Sequence, residues 1–437
     1  MKYHIWTEGC QMNEADSDRV ASALEHLGYT YSPVIEEADV IVLNTCVVRQ
    51  SAEEKAIGRL TTLLPVKRSR PDVVINMMGC LVGIKGSNPL QKRFPYVDVF
   101  SAPSDPRPLI EYLIQRDTHN EEEAETARRF ALMDGELTLP QPQVGKQVSA
   151  YIPIQYGCSH ACAYCIIPYR RGIEKSRPPE DILREARALV VQGVKEITLL
   201  GQIVDRYGKD EPSFPSLAQL LAQMSEIEGL ERLRFLTSHP NWWTDELLEA
   251  VATLPKVMPH IELPNQAGDD QVLTNMRRGY SAEKYRQIIQ HIRERIPGVS
   301  IATDIIVGFP GETEEQFMNT YQQLAELRLD MVHLARYSPR KGTLSERTMP
   351  DDVSDEEKWR RFRMIEKLEE EVMREIHARY LGQTVPILFE EKQKKRWKGR
   401  TPTNKLVFVE SDADLRGQIL PVKVTWTGPW SMLGELA

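Results

Sequence analysis

The sequence predicts an α/β protein in three parts: an N-terminal doubly wound parallel sheet, a central partial (β/α) barrel, and a small C-terminal antiparallel β-barrel. Three observations carry this reading. Strand-like apolar runs alternate with amphipathic helical stretches in the first quarter of the chain. A longer alternation of the same kind begins at Tyr151. The last residues, 381–437, hold only strand-like runs separated by Gly and Pro. A length of 437 residues fits two or three domains.

The first part, residues 1–116, contains HIWTEGC, ADVIVLNTC and DVVINMMGC, each an apolar strand followed by a turn. Residues 16–27 and 51–64 carry helical spacing between them. In a sheet of this βαβαβ kind, ligands gather beyond the carboxyl ends of the strands. Residues 117–149 change character: EEEAETARRF is charged and LPQPQVGKQ is rich in Pro and Gln, as in a linker. The third segment, 150–380, offers the candidate strands YIPIQY, EITLL, RLRFL, PHIEL, SIATDIIVG and MVHLARY. That is about six β/α units, fewer than the eight of a closed barrel, which leaves an open side for a large substrate. One long charged helix, 351–380, leads to the tail strands TVPILFEE, KLVFVES and ILPVKVTW.

Composition narrows the function. No run of about 18 apolar residues is present, so no spanning helix is expected. MKYHIWTEGC lacks an apolar signal region, so the chain is expected in the cytoplasm, with no membrane partner. There, six cysteines read as metal ligands or redox centres rather than disulfides. The net charge of −8 argues against nonspecific nucleic-acid binding by the whole chain. A local exception is 392–405, with seven Lys/Arg and no acid. Its KQKKRWKGR run surrounds Trp397 with cations, as in a phosphate groove with an aromatic platform; a solvated charged hairpin has the same composition.

The cysteines form two triplets. Cys158, Cys162 and Cys165 lie in GCSHACAYC, directly after the first barrel strand. Three thiolates on one loop can hold a four-iron cluster and leave one iron open. A zinc site with His160 as fourth ligand uses the same donors. Cys10, Cys46 and Cys80 are dispersed, and each ends a strand-like run after Gly9, Thr45 or Gly79. Buried core thiols would explain them equally. Their placement at the ligand-binding end of a parallel sheet favours a second site.

The Cys158–Cys165 loop, with Tyr164 before its last cysteine, resembles the radical S-adenosylmethionine superfamily. There the open iron chelates the cofactor, which is cleaved to a 5′-deoxyadenosyl radical. GCQMNEADSDR, LNTCVVRQSAEEKAIGRL and MMGCLVG resemble the N-terminal domain of the methylthiotransferases, and the likeness extends from Thr7 to Leu433. It implies that Cys10, Cys46 and Cys80 bind a second [4Fe–4S] cluster. Further matches are IIPYRRGIEKSRP at 166–178, LLGQ at 199–202, TSHP at 237–240, the PxQxGxD pattern around Gln266 and Gly268, and DIIVGFPGET at 304–313. They imply Tyr164, Gln202, Ser238 and Gln266 as cofactor-pocket residues, with no catalytic side chain beyond the cluster ligands. GRTPTNKLVFVES and the late LGE resemble the TRAM domain of RNA-modifying enzymes.

The resemblance thus implies a MiaB-like tRNA methylthiotransferase with two [4Fe–4S] clusters and S-adenosyl-L-methionine. It would add a methylthio group to carbon 2 of N6-isopentenyladenosine at position 37, holding the anticodon stem-loop with its tail. One S-adenosylmethionine would donate a methyl group to sulfur held at the second cluster, and another would yield the radical. A reductant protein and a sulfur source are further implied partners. The alternatives are methylthiolation of a ribosomal-protein aspartate or of another modified tRNA adenosine, and a noncatalytic metal-stabilised RNA-binding protein. GCQMN resembles the tRNA branch. Ile203, Asp205, Asn265 and Ala267 depart from the family pattern near the expected base pocket.

Overall fold

A computed structural model describes residues 1–48, 50–85, 88–117, 121–132 and 136–437. The first sheet has the order β2-β1-β3-β4-β5 and is parallel throughout. Its strands are β1 (Lys2–Thr7), β2 (Thr30–Tyr31), β3 (Val40–Thr45), β4 (Val74–Gly79) and β5 (Val99–Ser101). β3 and β4 are buried along their whole length, which accounts for their unbroken apolar composition. The helices Gln11–His26 and Gln50–Ser69 form the crossovers between β1, β3 and β4. The segment expected to connect two domains contains a helix, Glu121–Ala131, which packs its Ala124 and Ala131 into the core shared with helices Gln11–His26 and Arg107–Asp117.

The central part is a six-stranded arc in two halves. β6 (Ser149–Pro153), β9 (Glu196–Leu200) and β10 (Arg232–Phe235) run parallel in the order β10-β9-β6. β11 (His260–Glu262), β12 (Ser300–Val307) and β13 (Met331–Arg336) form the second half, also parallel. The short antiparallel ribbon of β7 (Gln155–Tyr156) and β8 (Lys175–Ser176) folds the cysteine loop back on itself. One apolar core runs from Ile152 through Leu199, Leu233, Ile261 and Ile305 to Val332. The arc ends at β6, against which helix Gln11–His26 packs, and at β13, against which helix Asp355–Ala378 packs. It does not close, as the strand count predicted.

The tail is a closed barrel of order β14-β15-β16-β18-β17. Its strands are β14 (Thr384–Gln393), β15 (Arg396–Arg400), β16 (Leu406–Glu410), β17 (Ile419–Thr427) and β18 (Met432–Leu436). All pairs are antiparallel except β16–β18. Buried arginines of β10 dock it: Arg232 donates to the carbonyls of Arg400 (2.7 Å) and Pro386 (3.1 Å), and Arg234 to those of Pro402 (2.9 Å) and Thr401 (3.1 Å). Buried Lys405 donates to Asp330 at 2.6 Å. Among the described residues no helix is long and apolar enough to cross a membrane.

Candidate cluster sites and nucleic-acid surface

The compact triplet is shaped by its backbone. Gly157 has φ +65°, and a Cβ there would lie 2.1 Å from the Ile173 carbonyl, so only glycine fits between β7 and Cys158. The loop is held by Cys158 N–H donating to Gly172 O (3.0 Å), Ala163 N–H to Met276 O (3.0 Å) and Ser345 N–H to Ala163 O (2.9 Å). Cys158 is buried, and Cys162 and Cys165 are half-buried; all three are free thiols. Arg278 donates to Cys162 Sγ at 3.3 Å, and His160 Nδ1 lies 3.0 Å from the same sulfur. Burial opposes ionisation of Cys162, but the His160 hydrogen bond and the Arg278 charge outweigh it and bring the thiol down to about 7. Burial pushes Cys165 up to about 12 and raises Cys158 as well. Among the described residues no three His, Cys, Asp or Glu side chains converge on a single-ion site. A four-iron cluster would take each thiolate on a different iron and so does not require such convergence; the His160 ring also packs against His239 and Trp242, with ring centroids 4.9 and 5.4 Å away.

The dispersed triplet is brought together by the sheet. β1, β3 and β4 are consecutive neighbours, in a register that pairs Thr7 with Asn44 and Thr45 with Gly79. Cys10, Cys46 and Cys80 therefore leave the same carboxyl edge. Gly79 has φ +97°, and a Cβ there would meet Thr45 O at 2.4 Å. A buried polar network underlies the sulfurs: Asn13 donates to Asn44 Oδ1 (3.1 Å) and Thr45 O (3.0 Å), and Asn44 donates to Asn13 O (2.7 Å). Burial pushes Cys46 up to about 11. Cys80 is raised by burial against the opposing charge of Arg171.

Arg171 comes from the other domain. It ends the helix Ile167–Arg171, six positions after Cys165. Its guanidinium donates to Cys80 Sγ (3.2 Å), Asn13 Oδ1 (3.1 Å), Asp16 Oδ2 (3.2 Å) and Ser104 Oγ (3.0 Å). Each triplet thus has a buried arginine against one of its sulfurs. Free thiols in threes, with fixed cations beside them, fit the thiolate ligation that iron–sulfur clusters require.

The four expected cofactor-pocket residues lie around the compact loop and in the turns at the carboxyl ends of the barrel strands. Tyr164 packs edge-on against Phe309 at 6.4 Å. Gln202 is half-buried in the turn after β9. Ser238 follows β10, and its N–H donates to Glu262 O (2.9 Å). Gln266 follows β11 with φ +78°, held there by hydrogen bonds to Asp304 O (2.8 Å) and from Ile306 N–H (3.0 Å). Such a left-handed non-glycine residue persists only where its surroundings enforce it. Several buried polar atoms in this region have no hydrogen-bond partner among the described residues: Gln155 Nε2, Asp205 Oδ1, Ser238 Oγ, His239 Nε2 and Asn265 Oδ1. Orphaned atoms of this kind suit a polar ligand. Asp205 is pushed up to about 7 by burial, against the His239 N–H that donates to it at 2.8 Å. Ser238 Oγ stands near that carboxylate without completing a well-formed hydrogen bond. Burial drives His239 down to about 2, so the ring is neutral.

The tail corrects one expectation. Trp397 is no exposed platform: it is 3% exposed, lies in the barrel core, and donates Nε1–H to Ala413 O at 2.9 Å. Much of the basic run is neutralised locally, Lys398 by Glu390 and Glu391, Arg396 by Glu410 and Arg400 by Glu390. The exposed tryptophans of this barrel are Trp426 and Trp430. Sequence reasoning also missed Arg171, Arg278, Asn13, Asn44 and His239. The only available signal for Arg171 was its place in the 166–178 segment.

Comparison with known proteins agrees with this architecture. Residues 2–102 match UPF0004, described as an uncharacterised protein family. Residues 152–324 match the radical SAM superfamily, and 378–437 match the TRAM domain. The chain is 46% identical to the tRNA-2-methylthio-N(6)-dimethylallyladenosine synthase of Roseiflexus sp. (strain RS-1), over 100% of this chain and 90% of that protein. It is 42% identical to the same-named protein of Dehalococcoides mccartyi (strain CBDB1), over 99% and 98%. Among solved structures, the radical S-adenosylmethionine methyltransferase TsrM of Kitasatospora setae shares the fold with a TM-score of 0.56, 14% identity, and coverage of 76% of this chain and 72% of that one. Full-length identity at this level establishes that the chain belongs to the family of tRNA-2-methylthio-N(6)-dimethylallyladenosine synthases.

Proposed function

We propose that this chain is a radical SAM methylthiotransferase that adds a methylthio group to carbon 2 of N6-isopentenyladenosine at position 37 of tRNA, beside the anticodon. The observation that carries the reading is the full-length similarity to enzymes of that name. Superfamily membership implies S-adenosylmethionine and a [4Fe–4S] cluster. We assign that cluster to Cys158, Cys162 and Cys165, and a second cluster to Cys10, Cys46 and Cys80. When bound, these groups supply a carbon-centred radical and the inserted sulfur, chemistry that side chains lack.

The chain's own residues prepare the site. Arg278 and His160 favour the thiolate of Cys162. Arg171 presents N–H groups to Cys80 and ties the two domains together at that point. Tyr164, Gln202, Ser238 and Gln266 would surround S-adenosylmethionine, with the unpartnered atoms of Ser238 and Gln155 available to it. Burial of Cys46, Cys80 and Cys158 limits water at those sulfurs. The open arc between β6 and β13 leaves room for a base withdrawn from its stack. In this reading residues 1–116, 150–380 and 381–437 act as cluster, radical and RNA-binding parts, joined by 117–149. The protein works in the cytoplasm with the anticodon stem-loop, a reductant protein and a sulfur source.

Anaerobic reconstitution should give about eight irons per chain, from two four-iron clusters. With tRNA and ribosomal protein offered together, mass spectrometry should find the methylthio group on the tRNA adenosine. Its appearance on a ribosomal-protein aspartate alone would overturn the assignment.

A further inference from the structure

Four cations of the tail's basic run, Arg396, Lys398, Arg400 and Lys405, are paired with acids. A separate group of cations lies beside the open edge of the arc. Arg336 ends β13, the edge strand, and its guanidinium stacks 3.8 Å from the ring centroid of Trp359. Trp359 lies near the start of helix Asp355–Ala378 and is 42% exposed. Arg363, one turn later, approaches the same ring at 5.8 Å, and Phe362 meets it edge-on at 5.5 Å. Neither Arg336 nor Arg363 forms an ion pair among the described residues. Of the acids on this helix, Glu357, two positions before the ring, binds Arg360 and Arg361.

We propose that Trp359, with Arg336 and Arg363, is a docking platform for an unpaired nucleotide of the tRNA substrate. The inference rests on the tRNA reading given above. An exposed aromatic ring offers any base a stacking face, and stacked guanidinium groups add both a second planar surface and attraction for phosphate. The position fits the topology. β13 borders the side where the arc fails to close, and Arg336 is at its carboxyl end, the end that bears the cysteine loop and the Ser238 and Gln266 turns. A nucleotide held there would steady the loop from which the reacting base is withdrawn. The same surface could not serve a cationic peptide, which the two unpaired arginines would repel.

Fluorescence anisotropy with a labelled tRNA carrying N6-isopentenyladenosine at position 37 tests this on the full-length, cluster-loaded protein. Trp359→Ala should weaken binding roughly 5- to 100-fold, the usual range for loss of one base–aromatic stack. Trp359→Phe should recover most of that loss. Arg336→Gln and Arg363→Gln should each weaken binding and make the slope of log affinity against log salt shallower by about 0.7. Should Trp359→Ala melt below the assay temperature, Trp359→Phe and the two arginine variants still decide the matter through the salt slope. Wild-type binding with unchanged affinity and salt slope in every folded variant would overturn the platform and leave the tRNA reading standing. Altered oligomeric state with unchanged tRNA affinity would also overturn it, in favour of a protein interface. Absence of wild-type binding would instead remove the tRNA reading itself.

Discussion

Replacing Arg171 should destabilise the junction of the two domains by a predictable amount. Its side chain is 3% exposed and that of Asp16 is fully buried, so the pair is screened by almost no water. Arg171→Met leaves Asp16 as a buried, unpaired carboxylate and strands the acceptors on Asn13 and Ser104. Breaking such a pair from one side costs about 3–5 kcal/mol. Asp16→Asn strands the guanidinium instead and should cost a similar amount. The double variant Arg171→Met/Asp16→Asn buries no charge, so its cost should fall to about 1–2 kcal/mol, the worth of the remaining hydrogen bonds. The two single losses therefore exceed the double loss by several kcal/mol. Native-state hydrogen exchange of the fully buried β3 amides, Val40–Thr45, reads the stability of this sheet directly in reduced protein. Single variants within 1 kcal/mol of wild type, or a double variant whose loss is the sum of the two, would refute the reasoning, which requires about 4–9 kcal/mol of coupling.

Two further perturbations test other parts of the chain. Asp205 is held near 7 by burial, against 3.8 for the free carboxyl, so the folded state keeps its proton when the unfolded state loses it. Stability from this group is therefore full below about pH 4, falls as pH rises towards 7 and is flat above, by at most about 4 kcal/mol. Asp205→Asn lacks that fall, so its melting temperature should gain on wild type between pH 5 and pH 8; an equal gap at both would count against a buried, proton-retaining Asp205. Trp397→Ala should cost about 3–5 kcal/mol by hollowing the tail barrel, whereas Trp426→Ala, on the surface, should leave the melting profile unchanged. Melting of the two variants at the same temperature would contradict the core placement of Trp397.

The strands were legible because each is a short apolar run cut off by polar or glycine residues. ADVIVLNT and DVVINMMG are buried on both faces in the sheet, and that burial is what removed the polar alternation from their sequences. The same logic, applied to KRWKGR, would have placed Trp397 correctly. β15 alternates strictly, with Trp397 and Gly399 inward and Arg396, Lys398 and Arg400 outward. Counting charge without the period of two turned a barrel wall into an aromatic-and-cation patch. Helix Glu121–Ala131 was hidden in a similar way: among its described side chains the buried ones are Ala124 and Ala131, so charge dominated the local composition. The sulfur contacts of Arg171 and Arg278 could not be read from the sequence, since their partners lie 91 and 116 positions away.

Chain length alone nevertheless brings the two triplets close. Cys165 and Arg171 are six positions apart, and five of the residues between and including them form the helix Ile167–Arg171. At about 1.5 Å of rise per residue the backbone advances only ~10 Å over that stretch. The arginine side chain then reaches Cys80 at 3.2 Å, while Arg170 O accepts the N–H of Ile84 at 3.1 Å, four residues beyond Cys80. The loop that carries one triplet is thus pinned by its own next helical turn to the sheet edge that carries the other. Separation of the two triplets is set at this short, buried, hydrogen-bonded part of the junction between domains. A motion that parted the domains would have to break the Arg171–Asp16 pair, so the space between the triplets is fixed by the same contacts that the double-variant cycle measures.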